Sequence, residues 1–506
     1  MSAVAELNQS RIRQSPIVRS LLRDGSPVRA WQIGVIVLMA GALLVTGMRH
    51  EPWFDEAQAW LIARDDSLWN LLADRMRHEG TTPLWYLVLE IPARLGLPYR
   101  SISVISGVAV LAGSWLLIRR APFPVWLRAV IPFTYFIFYQ YGVVARSYCL
   151  LAPLLWLAAM AHPSRRVRPW RWIVPLVLLT EVSVHGLILA VCWEGLRGHE
   201  LAREWRVLGR RERRRQLWPT VVLMMFVALA VVELWPNNDI SGGGSVHLAL
   251  NLRSLLFPSF PLALVEWTGI VALLISLLWM HQRQLLRYFA VPATALLLFF
   301  VFRYFSPWHG GVLFELWVAS LWIAWRQPAR HGIRGARALL AFRAPLAIGV
   351  VVLGQVVLTA EAAASDFWLP YSGAAALAAY IRDHNLDHRV DAEGKWVVAV
   401  LPYFSDMPFA DYNGGKLPAY YPWSRNNNPL PSNSAVLARS PEVIVFAVES
   451  RSTQAVYCLP GYSVATVFPG DVIVVGVRYE SETYVVFKRD PSSTKTAHDV
   501  CLHVSP

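Results

Sequence analysis

The sequence predicts an α-helical polytopic membrane protein with about 11 membrane crossings and a C-terminal soluble α/β domain. Three observations carry that class. The 506 residues are 55% hydrophobic and only 16% charged, with 23 Trp, far from the roughly 25% charged residues of an average soluble domain. Apolar runs recur between 31 and 360 at lengths suited to spans of about 20 residues. From 361 onward the chain changes to β-branched segments separated by turn residues.

The net charge of +13 does not point to nucleic acid. Arginines cluster between apolar runs, at 196–216 and 326–343, as cytoplasmic loops do under the positive-inside bias. The lysines are Lys395, Lys416, Lys488 and Lys495. An anion site in the membrane half must therefore use Arg, His or backbone N–H groups, and the planar fork of Arg suits phosphate. Cys149 and Cys192 sit in apolar runs as packing residues, whereas Cys458 and Cys501 share the terminal domain and can pair if it is extracytoplasmic. There is no CxxC or HExxH motif, so no dedicated metal site is indicated and a divalent metal stays an open cofactor.

In chain order, residues 1–30 read as a cytoplasmic tail rather than a signal peptide. The membrane domain is 31–360, with segments at 31–48, 101–118, 123–141, 146–161, 217–235, 260–280, 288–302, 310–325 and 344–360. Two stretches are ambiguous. Residues 82–97 are short for a span, and 171–197 form either one span or two short helices turning at Ser183–Gly186. Positive-inside bias favours the version in which 82–97 does not fully cross, because Arg119, Arg120, Arg128, Arg165, Arg166 and Arg168 then lie inside. Either version places 49–81, the Gly-rich loop 236–254 and the domain 361–506 outside. In that domain "SGAAALAAYIRDHN" reads as a helix, and "KWVVAVLPY", "EVIVFAVES", "YSVATVF", "DVIVVGV" and "ETYVVFK" as strands.

The residues suited to chemistry gather on the outer side. In "RHEPWFDEAQAWLIARDD" (49–66), Asp55 with Gln58 three residues on fits a capping box. The helix that follows suits the membrane interface, with Trp60 at headgroup level. Asp55 is then an oriented carboxylate among aromatics, a candidate general base. Glu56 is a second acid/base, a metal ligand or a first-turn charge favoured by the helix dipole. In "RHEGTTPLWY" (77–86), His78 is a candidate substrate contact and Glu79 fits loop chemistry. Arg146 and Tyr148 lie in "YQYGVVARSYCLL", His185 in the turn "EVSVHGL", and Arg303 with His309 in "FRYFSPWHGGVLFELW", where Gly310 and Gly311 open a helix. A helix N-terminus beside Arg and His is a seat for phosphate. Together these residues suit attack on a lipid-borne, phosphate-linked group. A carboxylate takes the acceptor's proton, and Arg or His stabilises the departing phosphate.

"WFDEAQAWLIARDDSLWNLL", "HEGTTPLWYLVLE" and "YQYGVVARSY" resemble the GT-C class of integral-membrane glycosyltransferases. Within it the group related to protein mannosyltransferases and lipid A aminoarabinose transferases looks nearest, over roughly residues 30–325. The resemblance implies a GT-C-like bundle, a polyprenyl-phosphate sugar as donor, inversion at the anomeric carbon, and an inner-membrane location. It implies that Asp55 is the catalytic base, and that Arg146 and Tyr148 match the family's aromatic–Arg–aromatic element. The family's Thr-His-Tyr turn is matched only as Val184-His185-Gly186, and its Pro-Pro as Thr82-Pro83. The partners implied are the donor, the bilayer and an extracytoplasmic lipid, glycan or protein acceptor. The competing class is a transporter or flippase of lipid-linked or anionic substrates, against which stands the gathering of charge at one face rather than at the midplane.

Overall fold

The computed structural model of the chain describes residues 28–238, 268–327, 336–412, 419–424, 433–450, 453–474 and 477–504. The Gly-rich centre of the 236–254 loop lies outside these residues. Helix α1 (Ala30–Arg49) is an apolar run closed by His50. Pro52 follows, and a residue before proline is driven out of the helical region. The chain then enters α2 (Phe54–Asp65) and, through the short helix Met76–Glu79, turns at Gly80 with φ +64, a left-handed closure that glycine takes at no steric cost. Next come α3 (Leu84–Arg94), α4 (Ser101–Arg120), α5 (Leu151–Ala161), α6 (Pro169–Thr180), α7 (Val184–Glu204) and α8 (Arg210–Leu234). The bundle ends with α9 (Thr268–Gln282), α10 (Arg287–Phe302), α11 (Gly310–Trp325) and α12 (Ala336–Trp368).

Among the described residues four helices are long and apolar enough to cross a membrane: α1, α4, α8 and the Ala344–Trp368 part of α12. The remaining apolar helices are shorter, and α11 is buried along its length from Gly310 to Ala324. Short helices are tolerated at membrane depth when neighbours enclose them. The 171–197 stretch is divided between α6 and α7, which meet at Glu181–Ser183.

Two elements of the membrane half differ from the sequence expectation. Residues 123–141 are broken into an α turn (Val125–Val130), a 3-10 turn (Ile131–Phe133) and a π segment (Phe136–Val143). Pro132 removes a ladder donor there, and Ser106 Oγ donates to the Gly142 carbonyl at 2.8 Å. Helix α2 is also no interfacial helix. Phe54, Glu56 through Ala63 and Trp60 among them are buried, enclosed between the bundle and the terminal domain.

The terminal domain opens with α13 (Ala374–Asp383), then β1 (Val390–Glu393), β2 (Asp411–Tyr412), β3 (Val443–Ser450), β4 (Gln454–Tyr457), β5 (Tyr462–Phe468), β6 (Asp471–Val474), β7 (Val477–Arg489) and β8 (Val500–Val504). The main sheet runs β2-β1-β3-β7-β5, with β6 also on β7. β1 is parallel to β2 and β3, whereas β3 and β7 are antiparallel with Val445 opposite Val486. "KWVVAVLPY" is not a strand but a 3-10 segment, Lys395–Tyr403. Its continuous apolar run lacks the period of a half-buried strand. Gly394 at φ +101 and Pro402 bound it, and Trp396–Leu401 are buried. One core runs from the bundle into this domain through Trp53, Phe54, Trp396 and Tyr421. The domain is therefore packed onto the membrane half.

β4 and β8 form a separate ribbon, and Cys458 and Cys501 beside it are joined in a disulfide with Cα atoms 5.0 Å apart. Closing a loop of 43 residues stabilises by about 3–4 kcal/mol. Cys458→Ser should therefore lower the melting temperature by several degrees. Equal melting of the variant and the parent would show that the bridge contributes nothing.

Candidate active site

The site is built from the start of α2. Trp53 is extended, the helix begins at Phe54, and Asp55 is its second residue. This displaces the capping box read from the sequence: the capping carboxylate is that of Glu56, whose Oε2 accepts the Trp53 N–H at 3.2 Å. Glu56 is fully buried. Its Oε2 also meets His50 Nε2 at 3.1 Å, and its Oε1 accepts the Ala145 N–H at 2.8 Å. Both oxygens are thus engaged away from solvent, which is the geometry of a brace rather than of a second acid/base. The brace joins the residue two before Asp55 to the residue before Arg146.

His50 completes the brace, its Nδ1 lying 3.2 Å from Asp366 Oδ2 at the end of α12. Burial works against charging this imidazole, but the Asp366 and Glu56 carboxylates prevail and hold its pKa at about 10.

Asp55 projects from the other side of the first turn, its side chain 27% exposed, and Oδ2 pairs with Arg146 Nη2 at 2.9 Å. The guanidinium lies over Trp308 at 4.9 Å and Tyr148 at 5.7 Å. Its Nη1 is buried with no hydrogen-bond partner among the described residues.

Beyond Tyr148 lies His185, 3% exposed, with neither ring nitrogen partnered among the described residues. Its ring centroid is 4.5 Å from that of His309 and 5.8 Å from that of Tyr148. Gly186 after it has a steric cause, since a Cβ there would meet the Leu179 carbonyl at 2.1 Å. The tight α6–α7 turn excludes a larger residue, which accounts for the departure from Thr-His-Tyr. His309 is engaged locally, its Nδ1 2.9 Å from the Ser306 nitrogen and its Nε2 3.1 Å from Trp308 Nε1, and a neutral imidazole accepts from one of the two. It backs His185 rather than facing open space. Gly311 admits Tyr141, whose hydroxyl a Cβ would approach to 2.3 Å.

Asp55, Arg146, Tyr148, His185 and His309 thus come together. Arg303 does not join them. It is exposed at the end of α10, away from the Asp55–Arg146 pair. His78 faces Asp74 and Asn237, its Nδ1 3.6 Å from Asp74 Oδ2. That is a loop contact rather than a place in the Arg146 cluster.

The carboxyl that sequence reasoning passed over is Glu79. It receives Gln58 Nε2 at 3.0 Å. Burial pushes its pKa up to about 7, with the Asp55 charge adding and Arg75 and Gln58 opposing. Gln58 in turn clasps the backbone of Tyr421, donating to its carbonyl at 2.6 Å and accepting its N–H at 2.8 Å. Arg75 reaches Asp66 at 3.2 Å and the Tyr420 hydroxyl at 3.0 Å. The terminal domain therefore overlies the site, and Phe54 stacks on Trp396 at 5.6 Å. The only signal for Glu79 in the sequence is its place in "HEGTTPLWY".

No group of three or more His, Cys, Asp or Glu suited to a metal ion is present among the described residues. No family model and no curated protein matches the chain. Among solved structures, ArnT from Cupriavidus metallidurans bound to undecaprenyl phosphate matches with a TM-score of 0.54 at 13% identity, covering 91% of this chain and 98% of that one. The chain has that fold, and at this level the GT-C resemblance read from the sequence is borne out.

Proposed function

We propose that the chain is an integral-membrane glycosyltransferase that moves a sugar from a polyprenyl-phosphate donor to an extracytoplasmic acceptor. The observation that carries this reading is the Asp55–Arg146 pair, with Arg146 Nη1 unpartnered and an unpartnered His185 in the same cluster. Buried N–H donors without acceptors are costly unless a ligand completes them. A phosphate does so, and the fold is one in which undecaprenyl phosphate binds in ArnT. In this reading the N-terminus is cytoplasmic and 361–506 face outward in the inner membrane.

The chemistry follows from the placement. Asp55 accepts the proton of the acceptor hydroxyl as its oxygen attacks the anomeric carbon. The bond from that carbon to the phosphate oxygen breaks with inversion, and polyprenyl phosphate departs with the electron pair. Arg146 and His185 stabilise the charge on the leaving phosphate. Glu56 and His50 fix the Asp55–Arg146 geometry, and Glu79 is a second carboxyl next to the base.

Arg146→Gln should weaken binding of undecaprenyl phosphate to the purified protein roughly 10- to 100-fold, the worth of one or two charge-assisted hydrogen bonds. Unchanged affinity would assign Arg146 to snorkelling. The function itself is tested in a deletion strain by comparing envelope glycans and lipid-linked sugars. One sugar should be missing from the envelope while its undecaprenyl-phosphate form accumulates. The same missing sugar, with its lipid-linked form held on the cytoplasmic side, favours a flippase.

A further inference from the structure

The Asp55 helix is held from the terminal domain by one carboxyl. Glu482 on β7 is fully buried, and its Oε2 accepts the N–H of Phe54, the residue before Asp55, at 3.2 Å. Its Oε1 meets the Ser372 hydroxyl at 3.1 Å and the Tyr484 hydroxyl at 2.6 Å. Tyr484 has a second close oxygen, the Trp396 carbonyl at 2.8 Å.

The protons can be counted. A phenol has one, and a backbone carbonyl can only accept. If Tyr484 donates to Glu482, its oxygen lone pairs confront the Trp396 carbonyl. If it donates to Trp396, the 2.6 Å contact is attractive only when Glu482 carries a proton and donates it to Tyr484. Every contact is satisfied in the second case alone. Ser372 fits this count, since it accepts the Ala374 N–H at 3.1 Å and donates its own proton to Glu482.

We infer that Glu482 is a positioning residue for Asp55: a neutral carboxylic acid that holds the first turn of α2 from the terminal domain without adding charge beside the phosphate seat. The inference rests on the proposed transfer reaction. The groups around it are Asp55 on α2, Tyr99 before α4, Tyr403 and Trp396 in the 3-10 segment, Tyr484 on β7 and Ser372 before α13. Burial pushes the carboxyl up to about 8, Asp55 adding while the Phe54 and Ser372 contacts oppose. The neck is tight, since a Cβ on Gly470 would meet the Glu482 carbonyl at 2.5 Å and the Gly373 nitrogen at 2.6 Å. Little movement is available to compensate for a lost contact.

Glutamine is a neutral isostere of the protonated acid, and this provides the test. Full-length protein in nanodiscs is assayed from pH 6 to 10 for release of undecaprenyl phosphate from its sugar-linked form. Glu482→Gln should keep the parental kcat at pH 7, and it should lack the rise in donor KM expected of the parent above about pH 8. Glu482→Ala should lose roughly 10- to 100-fold in kcat through misplacement of Asp55. Amide exchange of residues 53–58, which needs no substrate, should be faster in the parent than in Glu482→Gln at pH 9 and equal at pH 7. A Gln variant as impaired as the Ala variant, or one with the parental alkaline limb, would overturn the inference. If Glu482→Ala does not fold, the Gln profile decides. Should the parent release no undecaprenyl phosphate, the transfer reading fails, and the exchange comparison still decides the role of Glu482.

Discussion

Asp55→Asn should reduce sugar transfer by about 10²–10⁴-fold, the usual worth of a positioned general base. Asparagine keeps the size of the side chain, so α2 and its brace stay in place. The lost ion pair with Arg146 is partly exposed, at 27% and 20%, and such pairs stabilise by about 0–1 kcal/mol. Melting temperature and membrane insertion should therefore be close to parental while turnover disappears. Donor binding should persist, because in the proposed reaction the phosphate contacts come from Arg146 and His185. Parental turnover in the Asn variant would remove Asp55 from the reaction. Loss of both folding and turnover would make it a structural residue instead.

The second large effect is on stability and centres on His50. This side chain is fully buried between Glu56 and Asp366, so His50→Ala leaves two carboxylates without their cation. Breaking a buried pair from one side costs about 3–5 kcal/mol, a large share of the 5–15 kcal/mol that holds a typical domain. The pH dependence has a definite sign. The folded imidazole titrates at about 10, against about 6.5 in the unfolded chain. The stabilisation is complete below about 6.5 and is lost as the pH rises through 10. Thermal melts of the parent should fall between pH 7 and 10, and those of the variant should lose that slope above about pH 8, beyond the titration of Glu79 and Glu482. A parent whose melting is flat across this window would mean that the brace is neutral. Because Glu56 also holds the Ala145 N–H, the variant should lose activity even where it stays folded.

Much of the site was legible in the sequence because its residues lie next to breaks in apolar runs. Asp55, Arg146, Tyr148, His185 and His309 stand out there as polar groups at one end of each segment, and helices of similar length bring such ends together. The roles of the acidic residues were less legible. A one-residue shift in where α2 begins rotates each side chain by about 100°, and that start depends on Pro52 nearby and Glu482 far along the chain. This is why Glu56, not Asp55, caps the helix. The clasp of Gln58 on Tyr421 spans 363 residues, and no local pattern reports it. It brings the terminal domain over Glu79 and turns a half-solvated loop residue into a carboxyl with a pKa of about 7.

The fold of the terminal domain was legible where β-branched alternation is clear, as in β3, β5 and β7. It was not legible in Lys395–Tyr403, whose composition is that of a strand but which pairs with no strand among the described residues. That segment packs against α2, and burial there decided its conformation over propensity.

In the proposed reaction the Asp55–Arg146–His185 cluster transfers sugar from a polyprenyl phosphate. The most direct measurement is to incubate the purified full-length protein with undecaprenyl-phosphate-linked pentose, hexose and aminosugar donors plus a membrane extract of acceptors, and to follow free undecaprenyl phosphate. The proposed reaction predicts release from one donor, with the sugar appearing on an acceptor, and no release by Asp55→Asn. Release that continues undiminished in Asp55→Asn, or parental protein that binds the donors and cleaves none, would contradict it.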